Sequence, residues 1–273
     1  TTIAAGAVEV ANASGLGNGS AVTINNVAGT VLRTVNPSTA AEPEMMTLAI
    51  GSLAGGGTTG GNLSLGANTT LQTGSTDANT TFAGRISGDG NLVKTGSGTF
   101  TLTGDNTYSG TTTISAGHIK VGNNTATGSV GTGNVVIDNA TSKLIIDRTT
   151  NYDLGMAISG DGSLQKLQSS TLTLRGNNTY SGGTDFDAGT IIVRHDNALG
   201  SAGLTMAAST ELLLDHAITL PNSIELEGAV DIGFAAYELQ VEYLVVGGGG
   251  GGGGIIGGGG GAGGVLTGET GLF

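Results

Sequence analysis

Apolar and polar residues alternate along this chain in short runs. Phe100, Leu102 and Ile114 are interleaved with Thr99, Thr101, Thr103 and Thr113, and the same period of two recurs at Leu48 and Ile50, Leu63 and Leu65, Leu144 and Ile146, and Leu212 and Leu214. A period of two sends successive side chains to opposite faces, so each run predicts a half-buried strand of four or five residues. Gly88, Gly90, Gly104, Gly110 and Gly117, with Asp89 and Asn106, separate the runs and supply turn conformations at low steric cost. Few segments show the 3.6-residue spacing of a helix, and none is long.

The runs are organised by a duplication. Ile86 to Val121 recurs without a gap as Ile158 to Val193, 72 residues later, with 22 of 36 paired positions identical. A strand this short cannot bury its apolar face alone. Coils of such strands stacked at about 4.8 Å form one continuous core and close each backbone ladder on the next coil, which predicts a parallel β-helix. At about 20 to 25 residues per coil, residues 1–245 would make about ten to twelve coils. Residues 33 to 46 interrupt the rhythm with Pro37 and Pro43, each of which removes a ladder donor, and read as a lateral loop whose Met45 and Met46 pack on the adjacent coil, with an exposed sticky patch as the rival reading.

From Gly247 the pattern changes to glycine runs broken by Ile255 and Ile256, so residues 246–273 read as a separate glycine-rich module. A flexible linker is one reading of such composition, and a bundle of polyglycine II helices is the other, favoured by the absence of Ser and charge within the runs. Composition narrows the partners. A net charge of −12 with nine Lys and Arg makes nucleic acid and anionic membrane poor ones, and the absence of Cys excludes disulfides and thiolate metal sites. No apolar run reaches the length of a membrane-spanning helix. Thr1 to Val10 aligns with Thr112 to Val121, so the sequence opens in mid-unit and reads as a fragment of something longer.

SGDGNLVKTGSGTFTLTGDNTYSGTTTISAG, with its copy ending in NTYSGGTDFDAGTIIV, resembles the passenger-associated repeat of bacterial autotransporters. That resemblance covers roughly residues 1 to 210. It implies a right-handed β-helix and a role as a non-enzymatic surface scaffold or adhesin segment. Its partner would be a host-cell or neighbouring-cell surface component, with glycan among the candidates, and the terminal coils would contact adjoining domains or copies. The segment VEYLVVGGGGGGGG, where a passenger would lead to its barrel, is similar instead to the entry into glycine-rich domains of phage tail adhesins and other large surface proteins. A phage tail-fibre segment on a virion is therefore the first alternative to a cell-surface or secreted protein.

Candidate chemistry is sparse. Enzymatic β-helices acting on polysaccharides need convergent carboxylates, and Asp185 and Asp187, two apart on one predicted strand, are the candidate calcium or catalytic pair. Thr113 and Ser115 hold those positions in the first repeat, so solvated surface is the stronger reading and a polysaccharide-active enzyme the second alternative. Asp89 and Asp161 in the repeated SGDG read as turn residues. His118, His195 and His216 have no metal-ligand spacing, and neither a catalytic triad nor a phosphate-binding loop is recognisable. Tyr108 and Tyr180 in the repeated NTYSG read as packing between coils, with glycan stacking as the rival. No cofactor is expected.

Overall fold

The computed structural model describes residues 1–17, 19–38, 45–215 and 218–235, and the backbone of Tyr243–Val246 and Val265–Gly268. No helix occurs among the described residues. The chain forms two compact units, Thr1–Phe234 and Ala235–Phe273. The first is a parallel β-solenoid of about 11 turns.

Each turn visits three faces. Face A is one eleven-stranded parallel sheet, from Thr2–Ile3 to Ile224–Leu226, with one strand from every coil. Face B opens as a four-stranded sheet that ends at Ile86–Gly88 and closes as a five-stranded sheet from Tyr152–Leu154 to Asp231–Phe234. Between the two, Thr107 N donates to Ile86 O and Thr132 N to Tyr108 O, so the stacking continues without formal strands. Face C holds six strands, from Met46–Ala49 to Ile158–Gly160.

The pattern of alternation decides which side chains fill the bore. Phe82, Leu102, Val121, Ile146, Lys166, Phe186, Met206 and Leu226 stand in register on the inner side of face A. Thr101, Lys120, Ile145, Gln165, Asp185, Thr205 and Glu225 form the adjacent column, one residue out of phase and therefore outside. Nearly every inner aliphatic is fully buried, which makes one unbroken core along the stack. The SGDG corner shows why glycine recurs there. Gly88 and Gly160 have φ of 96° and 101°, and a Cβ would lie 2.0 Å from Leu65 O or 2.3 Å from Ile137 O.

The sequence repeat is out of step with the turn. From Asn91–Lys94, three rungs along face C lead to Ile158–Gly160, and the following strand, Ser163–Lys166, lies on face A. Seventy-two residues therefore wind three coils and one face further. Equivalent strands of the two repeats point in different directions around the solenoid.

Val31–Thr34 and Met46–Ala49 are strands, so the loop read for residues 33 to 46 is narrower than the sequence suggested. Arg33 and Thr34 belong to face B and Met46 to face C, while Met45 is 49% exposed. Residues 39–44 of that loop lie outside the described residues. So do the glycine runs, and with them the polyglycine II reading. In the second unit Tyr243–Val246 pairs antiparallel with Val265–Gly268.

Candidate interaction face

The repeat builds its corners from side chains that reach between coils. Asn106 is buried, and its Oδ1 accepts from Ile86 N at 2.7 Å in the coil before while its Nδ2 donates to Ser129 O at 2.6 Å in the coil after. Asn178 repeats this with Ile158 N at 2.8 Å and Ala198 O at 2.6 Å. Each carboxamide thus ties three successive turns. Tyr108 and Tyr180 are wholly buried, and their hydroxyls bond Thr112 Oγ1 and Thr184 Oγ1 at 2.6 Å. Their rings lie under Gly131 and Gly200 of the following coil, where a Cβ would come within 2.8 to 2.9 Å of the ring. Packing between coils, not glycan stacking, is their role. Asp89 does more than turn the chain, since it accepts from Ser109 Oγ at 2.8 Å one coil on.

Two residues that the sequence reading passed over sit in the same cassette. Lys94 and Lys166 occupy inward positions of their strands and are each 1% exposed. The Lys94 ammonium donates to the carbonyls of Thr95 at 2.6 Å, Gly96 at 2.8 Å and Ala116 at 3.2 Å, and Lys166 donates to Gln168 O and, at 2.8 Å, to Ala188 O. Desolvation lowers both from 10.5 to about 8, with Asp77 opposing the shift at Lys94. At neutral pH both stay charged, held by carbonyls where a counter-ion would otherwise be needed. The signal was legible: a lysine stood in an apolar slot twice, 72 residues apart.

Asp185 lies on strand Thr184–Phe186 and Asp187 just past it, both directed outward from face A. Asp185 Oδ2 meets Lys143 Nζ at 2.7 Å, and Asp187 Oδ2 accepts from Gln165 Nε2 at 2.7 Å. The two carboxylates thus turn to different neighbours. No group of three or more His, Asp or Glu able to hold a metal occurs among the described residues. His195 Nδ1 accepts from Asn197 N, and His216 lies outside the described residues. His118 stands beside Lys143 on face A, and burial, then the charges of Lys143 and Lys94, lower its pKa.

Around Asp185 the outer side of face A carries a network of charged and amide groups. Lys120 Nζ lies 3.4 Å from Asp147 Oδ2, and Gln168 Nε2 donates to Asp147 Oδ1 at 2.6 Å. These groups come from four consecutive rungs, His118–Thr125, Lys143–Arg148, Ser163–Lys166 and Thr184–Phe186. Beside them the turn after Val121 is pinned by Arg148, which donates to Ala126 O at 2.9 Å and stacks 4.7 Å over the Tyr152 ring.

Residues 92–121 and 164–193 each match the family model described as passenger-associated-transport-repeat. The adhesin BmaC autotransporter of Brucella suis biovar 1 (strain 1330) is 36% identical over 122 residues, which is 44% of this chain and 3% of that protein. The chain therefore corresponds to a small part of that relative's length. No solved structure matches the chain significantly. No helix among the described residues is long and apolar enough to cross a membrane.

Proposed function

With two passenger-associated-transport repeats wound into one parallel β-solenoid, we propose that this chain is a scaffold segment of an autotransporter-like adhesin, displayed on the cell surface or secreted. The observation that carries the reading is the coincidence of both matched repeats with continuous, fully packed coils, beside a relative whose name is that of an autotransporter adhesin. Its work is mechanical: spacing and presenting binding elements at a distance from the cell, toward a component of a host or neighbouring cell. Inner columns that emerge at Ile224, Leu226, Ile232 and Phe234, from 38% to 75% exposed, support stacking of adjoining segments or further copies there.

A non-enzymatic role fits the way Asp185 and Asp187 are engaged by Lys143 and Gln165. The tail-fibre alternative rested on the junction at Gly247, outside the described residues, and gains nothing from the relative. A non-adherent bacterial host displaying the full chain on its surface should bind cultured cells or neighbouring bacteria more than the same host displaying an unrelated β-solenoid of equal length. Equal adherence of the two strains would remove the adhesin reading, and release of reducing sugar from polysaccharides by the purified chain would move it toward the enzymatic one.

A further inference from the structure

Because the two repeats are offset by one face, they form an internal experiment: the same position of the same cassette is displayed on face A in one copy and elsewhere in the other. Gln165, Gln168, Asp185 and Asp187 belong to the face A strands of the second repeat and their corners, and their counterparts in the first, Val93, Gly96, Thr113 and Ser115, belong to face C. The reverse holds at the end of the repeat. Lys120 of the first copy is on face A, and its counterpart Ile192 in the second is on face B. In all five pairs the member on face A is charged or an amide, and its partner is small or apolar. At these five positions the scaffold tolerates either kind and the chemistry follows the face. Elsewhere it does not, since Asn91 on face C corresponds to Ser163 on face A, and Arg175 past the face B strand to Thr103 past the face A strand.

We propose that the outer side of face A, over the four rungs that carry Lys120, Lys143, Gln165, Gln168, Asp185 and Asp187, binds an uncharged polysaccharide. This rests on the adhesin reading and supplies its ligand class. Charge argues for it first. Lys120 is paired with Asp147 and Lys143 with Asp185, which leaves the patch within one charge of neutrality on a chain of net charge −12. Such a face offers sulfated or sialylated glycans only lysines already paired with carboxylates, on a chain whose net charge repels polyanions. Hot spots of protein interfaces are built on Trp, Tyr and Arg. Arg148 on these four rungs is engaged by Gly128 O, Ala126 O and the Tyr152 ring, and Ile145 stands outward among ammonium, amide and carboxylate groups.

Those groups suit vicinal hydroxyls. Each carboxylate has acceptor sites beyond its internal bond, and each amide and ammonium has further donors. Rungs about 4.8 Å apart place the groups over roughly 15 Å, which calls for a chain of several sugars lying along the stack and engaging successive rungs weakly.

The test uses the repeat's own residues. Q165V/D185T/D187S installs on face A what the first repeat already carries on face C, and V93Q/T113D/S115D does the opposite on face C. The full chain and both variants are titrated with cellohexaose, mannohexaose, galactohexaose and maltohexaose, and with heparin and polysialic acid, while circular dichroism melts verify the fold. The expected result is binding of at least one neutral hexasaccharide, weakened ten-fold or more in the face A variant and unchanged in the face C variant. Neutral sugars that fail to bind, equal affinities in all three proteins, or selective binding of the anionic glycans would each overturn the proposal. None of these touches the adherence comparison, which stands or falls separately.

Discussion

Lys94 and Lys166 show how much a single buried charge sets the response of this fold to pH. In the unfolded chain their amines titrate near 10.5, whereas in the solenoid burial brings them to about 8. Between those values the unfolded state holds more protons, so stability rises as pH rises from about 8 toward 10.5. The tyrosines act in the opposite sense. Burial raises the hydroxyls of Tyr108 and Tyr180 well above their ordinary 10.0, so above that pH the unfolded chain ionises, the folded one does not, and stability falls. Chemical denaturation across pH 7 to 11 should therefore show a rise above pH 8 that turns over beyond pH 10, and K94M/K166M should lose the rise while keeping the fall. A wild-type profile that declines steadily from pH 8 would contradict the burial of the ammonium groups.

At the scale of the strand and its corner, the linking element is the Asn of NTYSG. Its carboxamide satisfies a backbone N–H of one coil and a carbonyl of another, both away from water. Removing it strands two buried polar groups, each costing about 1–3 kcal/mol. N106A and N178A should each lower the stability of the full chain by about 2–5 kcal/mol, measured by urea denaturation, and Y108F, which gives up one hydroxyl bond, by about 1 kcal/mol. Comparable losses in all three would show that the carboxamide does not bridge coils. The same logic recurs at corners outside the matched repeats, where Asn79 Oδ1 accepts from Thr99 N at 2.7 Å and Asn151 Oδ1 from Thr171 N at 3.0 Å.

The solenoid unit as a whole is a one-dimensional stack, in which each coil is stabilised by the coils beside it. Middle coils are covered on both sides. In the last described one Leu226 and Phe234 continue the inner columns of Met206 and Leu214 and are 52% and 75% exposed. Amide exchange should consequently be slowest over Asn91–Lys94 to Thr184–Phe186 and faster by orders of magnitude at Ile224–Leu226 and Asp231–Phe234, as read by mass spectrometry of the full chain. Uniform protection would show that the end is covered as well as the middle.

Sequence alone determined the strand rhythm, the number of coils, the all-β solenoid and the family resemblance, because period-two alternation, glycine-marked corners and a duplicated block are all local properties of the chain. It also isolated Tyr108 and Tyr180 as packing residues, since a repeated aromatic beside a repeated Asn reads as structure. Tertiary structure alone decided where anything points. Whether a 72-residue repeat closes a whole number of turns depends on corner lengths summed over three coils, and a surplus of one face carries Asp185 to Lys143 while Thr113, its twin in sequence, faces elsewhere. The inter-coil reach of Asn106 was hidden for the same reason, since its partners lie about one turn away, and of the carbonyls around Lys94 only that of Ala116, 22 residues on, was hidden with it.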